Sequence, residues 1–187
     1  MKYEQGGKAM NKTKKVGFKR LTEDAIIPTR EHSTDSGFDL YANEDVIIYP
    51  GETKVISTGI AVQLPGGCEA QVRPRSGVTS KTKLRVQLGT IDNDYVGDIG
   101  IIVDNIAVNK KERMAGHMGV DENYKLRHVD GSFSDLGTMN NDYVYKVRKG
   151  DRIAQLVVQY LPKVEGVEVD NLDETERGGK GFGSSGV

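Results

Sequence analysis

Residues 46–74 read VIIYPGETKVISTGIAVQLPGGCEAQVRP, and three β-branched runs in this stretch each end on a turn signal. Val46–Tyr49 stops at Pro50-Gly51, Val55–Leu64 stops at Pro65-Gly66-Gly67, and Glu69–Arg73 stops at Pro74. Val, Ile and Tyr suit a pleated, half-buried surface, whereas Pro lacks the ladder donor and Gly lacks a side chain to pack. Short runs punctuated this often predict an all-β sandwich or barrel.

Later segments continue the rhythm. Ile99–Val103 and the alternating Tyr143, Tyr145 and Val147 read as strands, and Ile153–Tyr160 is apolar on both sides, as a strand buried on both faces would be. Only Val78–Lys83, after Gly77, suits a helix, a short one with Ser76 or Thr79 as its cap. Residues 106–142 break the pattern: they are polar, carry Met114, His117, Met118 and His128, and show no clean period. They are expected to be an insertion between two strands, either a long functional loop or a small subdomain.

The chain of 187 residues is long enough for one sizeable core, so a single domain is expected. Lys and Arg number 26 against 27 for Asp and Glu, a net charge of −1, which offers no global field for nucleic acid or an acidic membrane. No apolar run approaches the roughly 18 residues of a bilayer span. Cys68 is alone, and the N-terminus lacks a signal-peptide pattern, so the cytoplasm is the expected compartment. Charge is uneven within the chain. Residues 1–20 hold Lys2, Lys8, Lys12, Lys14, Lys15, Lys19 and Arg20 against Glu4 alone, and residues 165–176 hold acids without a base. Residues 1–15 are therefore expected to be a disordered basic leader to a body spanning 16–187.

The last segment, Arg177-Gly-Gly-Lys-Gly-Phe-Gly-Ser-Ser-Gly-Val187, is expected to be mobile until a ligand orders it. Its glycines match the dinucleotide fingerprint only formally, because that motif needs a strand before it and a helix after it. A P-loop reading fails as well, since Gly181 follows Lys180 where a hydroxyl is required. What remains is chemistry suited to a polyphosphate: backbone N–H groups, the hydroxyls of Ser184 and Ser185, and the cations Arg177 and Lys180. Phe182 adds an aromatic face for a base. Arg73-Pro-Arg75-Ser76-Gly77, following a strand, is a second candidate anion site. Asp35-Ser-Gly-Phe-Asp39 and Gly89-Thr-Ile-Asp92-Asn-Asp94-Tyr95-Val-Gly-Asp98 supply carboxylates, the second on an expected hairpin. Beside phosphates such groups hold Mg²⁺ or its water shell, or act as a general base. His32, His117 and His128 make no zinc pattern, and no serine stands in a nucleophile elbow.

Taken in order, five segments resemble the motifs of the trimeric dUTPase family: DSGFDLYA (35–42), RPRSG (73–77), GTIDNDYVGDIG (89–100), GDRIAQLVV (150–158) and RGGKGFGSSG (177–186). The resemblance covers about residues 16–105 and 143–187. It implies a distorted jelly-roll-like (β-clip) subunit in a homotrimer, with each active site assembled from three chains. It also implies Mg²⁺-assisted hydrolysis of dUTP to dUMP and pyrophosphate, limiting uracil in DNA and supplying dUMP. By the same resemblance Asp92 is the base that activates water, and Tyr95 packs under the deoxyribose. The backbone of Gly89, Thr90, Ile91 and Gly100 reads the uracil edge. Arg75, Ser76, Gly77 and Gln155 contact phosphates, Asp39 holds water around Mg²⁺, and Arg152 pairs with a neighbouring acid. Arg177 clamps the terminal phosphate, Phe182 stacks on uracil, and Gly183, Ser184 and Ser185 wrap the phosphates.

Two departures stand out. The family usually has a short turn where this chain has 106–142, and such an insertion resembles those of some phage-encoded members, where it can serve protein contacts and the compartment would be the host cytoplasm. Asp98 stands where Glu, Asn or Gln is common. Two other readings compete. A dCTP deaminase, bifunctional or not, shares the fold but needs a Glu near the base, and residues 89–100 contain none. A binding or regulatory protein would act through 106–142, with catalysis secondary.

Overall fold

The computed structural model describes residues 13–108, 126–133, 143–175 and 178–179. Eleven short strands and one short helix follow in order: β1 (Gly17–Arg20), β2 (Phe38–Tyr41), β3 (Val46–Ile48), β4 (Thr53–Ser57), β5 (Ile60–Gln63), β6 (Cys68–Pro74), α1 (Ser76–Lys81), β7 (Leu84–Val86), β8 (Gly89–Ile91), β9 (Gly100–Asn105), β10 (Tyr145–Val147) and β11 (Arg152–Tyr160). Among the described residues every pairing between these strands is antiparallel, in sheets ordered β2-β11-β6-β8, β4-β9-β7, β1-β5 and β10-β3. The all-β fold class expected from the punctuated runs is the observed one. No helix among the described residues is long and apolar enough to cross a membrane.

Inward residues of these sheets meet in one core, in which Leu40, Ile48, Ile56, Ile60, Leu84, Ile99, Ile101, Ile153 and Leu156 are essentially shut off from solvent. Truncating any one of them to alanine removes about 2–5 kcal/mol. Tyr145 is buried with them, and its hydroxyl accepts a hydrogen bond from the Lys83 backbone N–H at 2.9 Å. That bond holds the turn after α1 to the core.

Three local expectations need correction. The run Val55–Leu64 is two strands rather than one, because Gly59 takes a positive φ of 65° and turns the chain between β4 and β5. The helix begins two residues earlier than expected, at Ser76, and its N-cap is Arg75 with no side-chain cap; neither Ser76 nor Thr79 fills that role. The helix closes instead at its far end, where Thr82 Oγ1 donates to the Val78 carbonyl at 2.7 Å. Finally, the 89–100 segment is not a ladder-paired hairpin, since β8 joins β6 while β9 lies between β4 and β7.

Side chains explain that divergence. Asn93 Nδ2 donates to the carbonyls of Pro65 and Cys68, both at 2.9 Å, and so ties one arm of the loop to the start of β6. The Asp98 carboxylate accepts from Ser57 Oγ at 2.5 Å, Thr58 Oγ1 at 3.2 Å and the Ile60 N–H at 3.2 Å, which ties the other arm to the β4–β5 corner. Asp98, a departure from the family pattern, is thus a stitch between two sheets.

Between β9 and β10 the described residues 126–133 lie against the body. Arg127 bridges to Phe133 and Tyr145, Val129 is buried, and Asp130 pairs with Arg148 at 3.2 Å. Ser132, through its hydroxyl and its N–H, and Arg148 hold the Asp130 carboxyl down to about 2.

Gly59→Ala is expected to destabilise the fold by roughly 1–3 kcal/mol, through the positive φ and a methyl within 2.9 Å of Asn43, Thr22 and Ala25. The measurement is the urea midpoint at unchanged slope; an unmoved midpoint would show that the corner tolerates a side chain.

Candidate active site

The site begins with strand register. On β11, Gln155 stands opposite Asp39 of β2 on one side and Arg73 of β6 on the other. A β-bulge between Arg152 and Ala154 makes this possible. Simple alternation would place Arg152 and Gln155, three residues apart, on opposite faces. The extra residue buries Ile153 and Ala154 in succession and returns Gln155 to the face of Arg152. Both therefore line one cleft of about 690 Å³, together with Glu31, Asp35, Asp39, Arg73, Arg75, Ser76 and Gly77.

Asp39 is the electrostatic centre of this cleft. Its Oδ1 lies 3.0 Å from Arg75 Nη1 and its Oδ2 accepts from Arg152 Nη1 at 3.2 Å. Arg152 also reaches Glu31 at 3.6 Å, but both partners of that pair are exposed and it contributes little. Although Arg75 Nη1 is close enough to Asp39 for an ion pair, it is buried without a well-aimed hydrogen bond. A guanidinium held at the cleft by an ion pair is a cation placed to attract an anion. Gln155 Nε2 donates to the Pro74 carbonyl at 2.9 Å, fixing the amide across the strand gap. Gly37 leaves room for the Gln155 side chain, because a Cβ here would lie 2.6 Å from Gln155 Oε1 and 3.0 Å from its Cβ and would force that side chain to shift.

A second group of residues lies elsewhere. Gly89, Thr90 and Ile91 form β8, an edge strand whose outer side leaves backbone N–H and C=O groups open to a ligand. Asp92 follows it, exposed, with no described residue paired to its carboxylate. Tyr95 is half-exposed, and its hydroxyl donates to the Asp98 carbonyl at 2.8 Å, folding the ring back over Gly97. Gly100 opens β9.

The two groups are far apart along β6. Ile91 is opposite Ala70, so Asp92 sits beside the beginning of β6 while Arg75 follows its end. At about 3.3 Å per strand residue the separation is about 20 Å. The structure therefore gathers Asp39, Arg75, Ser76, Gly77 and Gln155 in one place and holds Asp92, Tyr95 and β8 in another. Arg177, Phe182, Gly183, Ser184 and Ser185 lie outside the described residues. In the sequence, Arg73 stood only as part of the 73–77 candidate anion segment and Gly37 had no assigned role; cross-strand register, which needs the bulge, reveals what each of them faces.

A dUTPase family model matches residues 23–116 and 138–186, well over half of the chain. The chain belongs to the dUTPase family. It is 39% identical over 175 residues to the deoxyuridine 5'-triphosphate nucleotidohydrolase of Gloeothece citriformis, covering 92% of this chain and 97% of that protein. A variant of the Staphylococcus bacteriophage 80alpha dUTPase, solved with dUpNHpp, superposes with a TM-score of 0.80 at 35% identity, over 94% of this chain and all of that one. A variant of the dUTPase from phage phi11 of S. aureus, described for its coordination of a structural Mg(II) ion, gives a TM-score of 0.73 at 33% identity, over 84% and 98% of the two chains. The features that set this dUTPase apart from a generic β subunit are the motif-bearing cleft and the motif-bearing loop after β8.

Gly37→Ala should push Gln155 out of the cleft, lowering kcat/KM about tenfold, equivalent to about 1.4 kcal/mol of lost transition-state contact. Steady-state kinetics beside a melting curve would check this. An unchanged kcat/KM would detach Gln155 from the site.

Proposed function

We propose that this dUTPase hydrolyses dUTP to dUMP and pyrophosphate by water attack on the α-phosphorus, in sites shared between copies of the chain in a homotrimer. One observation carries the shared site: Asp92 and the Arg75 cleft are about 20 Å apart in a single chain, too far for one group to activate water at a phosphate held by the other. Facing the Asp92 loop of one copy to the Arg75 cleft of another brings them together. Residues 161–172 support assembly as well, since Leu161, Val164, Val167, Val169 and Leu172 are exposed large apolar side chains.

In this reading the edge of β8 offers backbone donors and acceptors to uracil. A cytosine would leave a buried amide mismatched, at a cost of roughly 1–3 kcal/mol. Tyr95 lies under the deoxyribose and crowds a 2′-hydroxyl. Arg75, Ser76, Gly77 and Gln155 of another copy hold the phosphates in line. Asp92 takes a proton from water as the oxygen bonds to the α-phosphorus. The bond from that phosphorus to the bridging oxygen breaks, and pyrophosphate carries away the electron pair. Arg177, Phe182, Gly183, Ser184 and Ser185 close over the nucleotide.

The donor set fits Mg²⁺ held through phosphates and water. Asp39 retains lone pairs beyond its two arginines, and no cluster of three acid, His or Cys ligands exists among the described residues. Bound there, Mg²⁺ would supply charge neutralisation at the phosphates. The cytoplasm, or a host cytoplasm for a phage-encoded protein, remains the compartment that suits this reading, and 106–142 a surface for a protein partner.

Asp92→Asn and Arg75→Ala should each reduce turnover by about 10²–10⁴-fold as pure proteins. Mixed oligomers of the two should regain pyrophosphate release, because some interfaces then pair an intact Asp92 with an intact Arg75. Mixtures that stay as inactive as their parents would place the site within one chain. Running dUTP, dCTP, dTTP and UTP side by side tests the base and sugar assignments, and release from dCTP would overturn the β8 reading.

A further inference from the structure

Three arginines line the cleft, and two of them, Arg75 and Arg152, are engaged by Asp39. Arg73 is held differently. Its Nε and Nη2 both donate to Gln71 Oε1, at 3.1 and 2.8 Å, and Gln71 Nε2 in turn donates to Glu69 Oε1 at 2.8 Å. A neutral amide therefore orients the guanidinium, and among the described residues no carboxylate pairs with it directly. Two of its five N–H groups are committed to Gln71, and the other three have no partner among the described residues. Arg73 also stands directly across the ladder from Gln155, in the row that continues to Asp39. An arginine oriented by an amide, with no carboxylate paired to it among the described residues, inside a cleft that already holds two Asp39-paired arginines, offers a further cationic contact to a multiply charged anion.

We propose that Arg73 is a further substrate-binding residue of this dUTPase, acting on the phosphates beyond the α-phosphate and selecting a nucleoside triphosphate over the monophosphate product. Gln71 is its positioning residue: two hydrogen bonds to one oxygen keep the guanidinium plane from rotating away. The proposal rests on the cleft being the phosphate site, and Arg75 serves as the test of that underlying reading.

Calorimetric titrations of dUpNHpp and dUMP into wild type, Arg73→Ala, Arg73→Lys, Gln71→Leu and Arg75→Ala decide it. Arg73→Ala should weaken dUpNHpp about tenfold or more, the loss of one or two charge-assisted hydrogen bonds, while dUMP changes less than about twofold. Arg73→Lys should recover part of the affinity by restoring charge without the fork, and Gln71→Leu should fall between wild type and Arg73→Ala. Equal loss of both ligands would overturn the proposal in favour of a structural role. If Arg75→Ala weakens dUpNHpp and Arg73→Ala does not, the proposal fails and the phosphate cleft stands. If neither variant changes dUpNHpp binding, the cleft assignment fails and takes the proposal with it.

Discussion

One extra residue in β11 determines what the cleft contains. Strand side chains alternate strictly, so a segment carrying both Arg152 and Gln155 on one face needs its alternation broken once between them. The bulge does so at Ile153-Ala154, where two small or branched apolar residues can enter the core in succession. Everything after it follows from register. Gln155 meets Asp39 and Arg73 across the ladder, and Leu156 returns to the core. Pro74, opposite Ala154, has no N–H to extend the ladder, and its carbonyl becomes the anchor for the Gln155 amide. A slip of one residue without the bulge would send Gln155 inward and Ala154 outward, which the fully buried Ala154 opposes.

A second constraint acts on the loop after β8. Its two ends are drawn toward different sheets, by Asn93 at the start of β6 and by Asp98 at the β4–β5 corner. The loop between them carries Asp92 and Tyr95 outward, and neither side chain contributes to the core. A rigidly based loop that projects its carboxylate into solvent is built to serve something the chain itself does not hold. The proposed sharing of the site across copies draws on this geometry, with Asp92 beside the beginning of β6 and Arg75 after its end.

The strand rhythm was legible because punctuation is local: Pro50, Pro65 and Pro74 each end an element in the structure as they do in the sequence. The five motifs were legible because their order is specific. What stayed hidden depends on atoms distant in sequence. Gly59 divides one apolar run into two strands because the corner it turns is held by Asp98, and nothing within residues 55–64 announces that partner. The helix has no side-chain cap because its N-cap residue is Arg75, whose guanidinium carries only donors and cannot accept from a backbone N–H. The role of Gly37 appears only against Gln155, which lies across a ladder whose register the bulge shifts.

The placement of Asp39 among arginines also bears on how the cleft can be both folded and receptive. Three guanidiniums within one cleft repel one another, and an empty site of that kind would favour opening. Pairing Arg75 and Arg152 to a single carboxylate, each through one nitrogen, offsets part of that repulsion. One carboxylate thus faces two guanidiniums, while Arg73 adds a third held by an amide; Glu31 and Asp35 also line the cleft, so its acidic and basic side chains balance in number. Asp39 is therefore the counter-ion that holds Arg75 and Arg152 at the cleft, while the neutral support of Arg73 leaves that guanidinium with no directly paired carboxylate among the described residues.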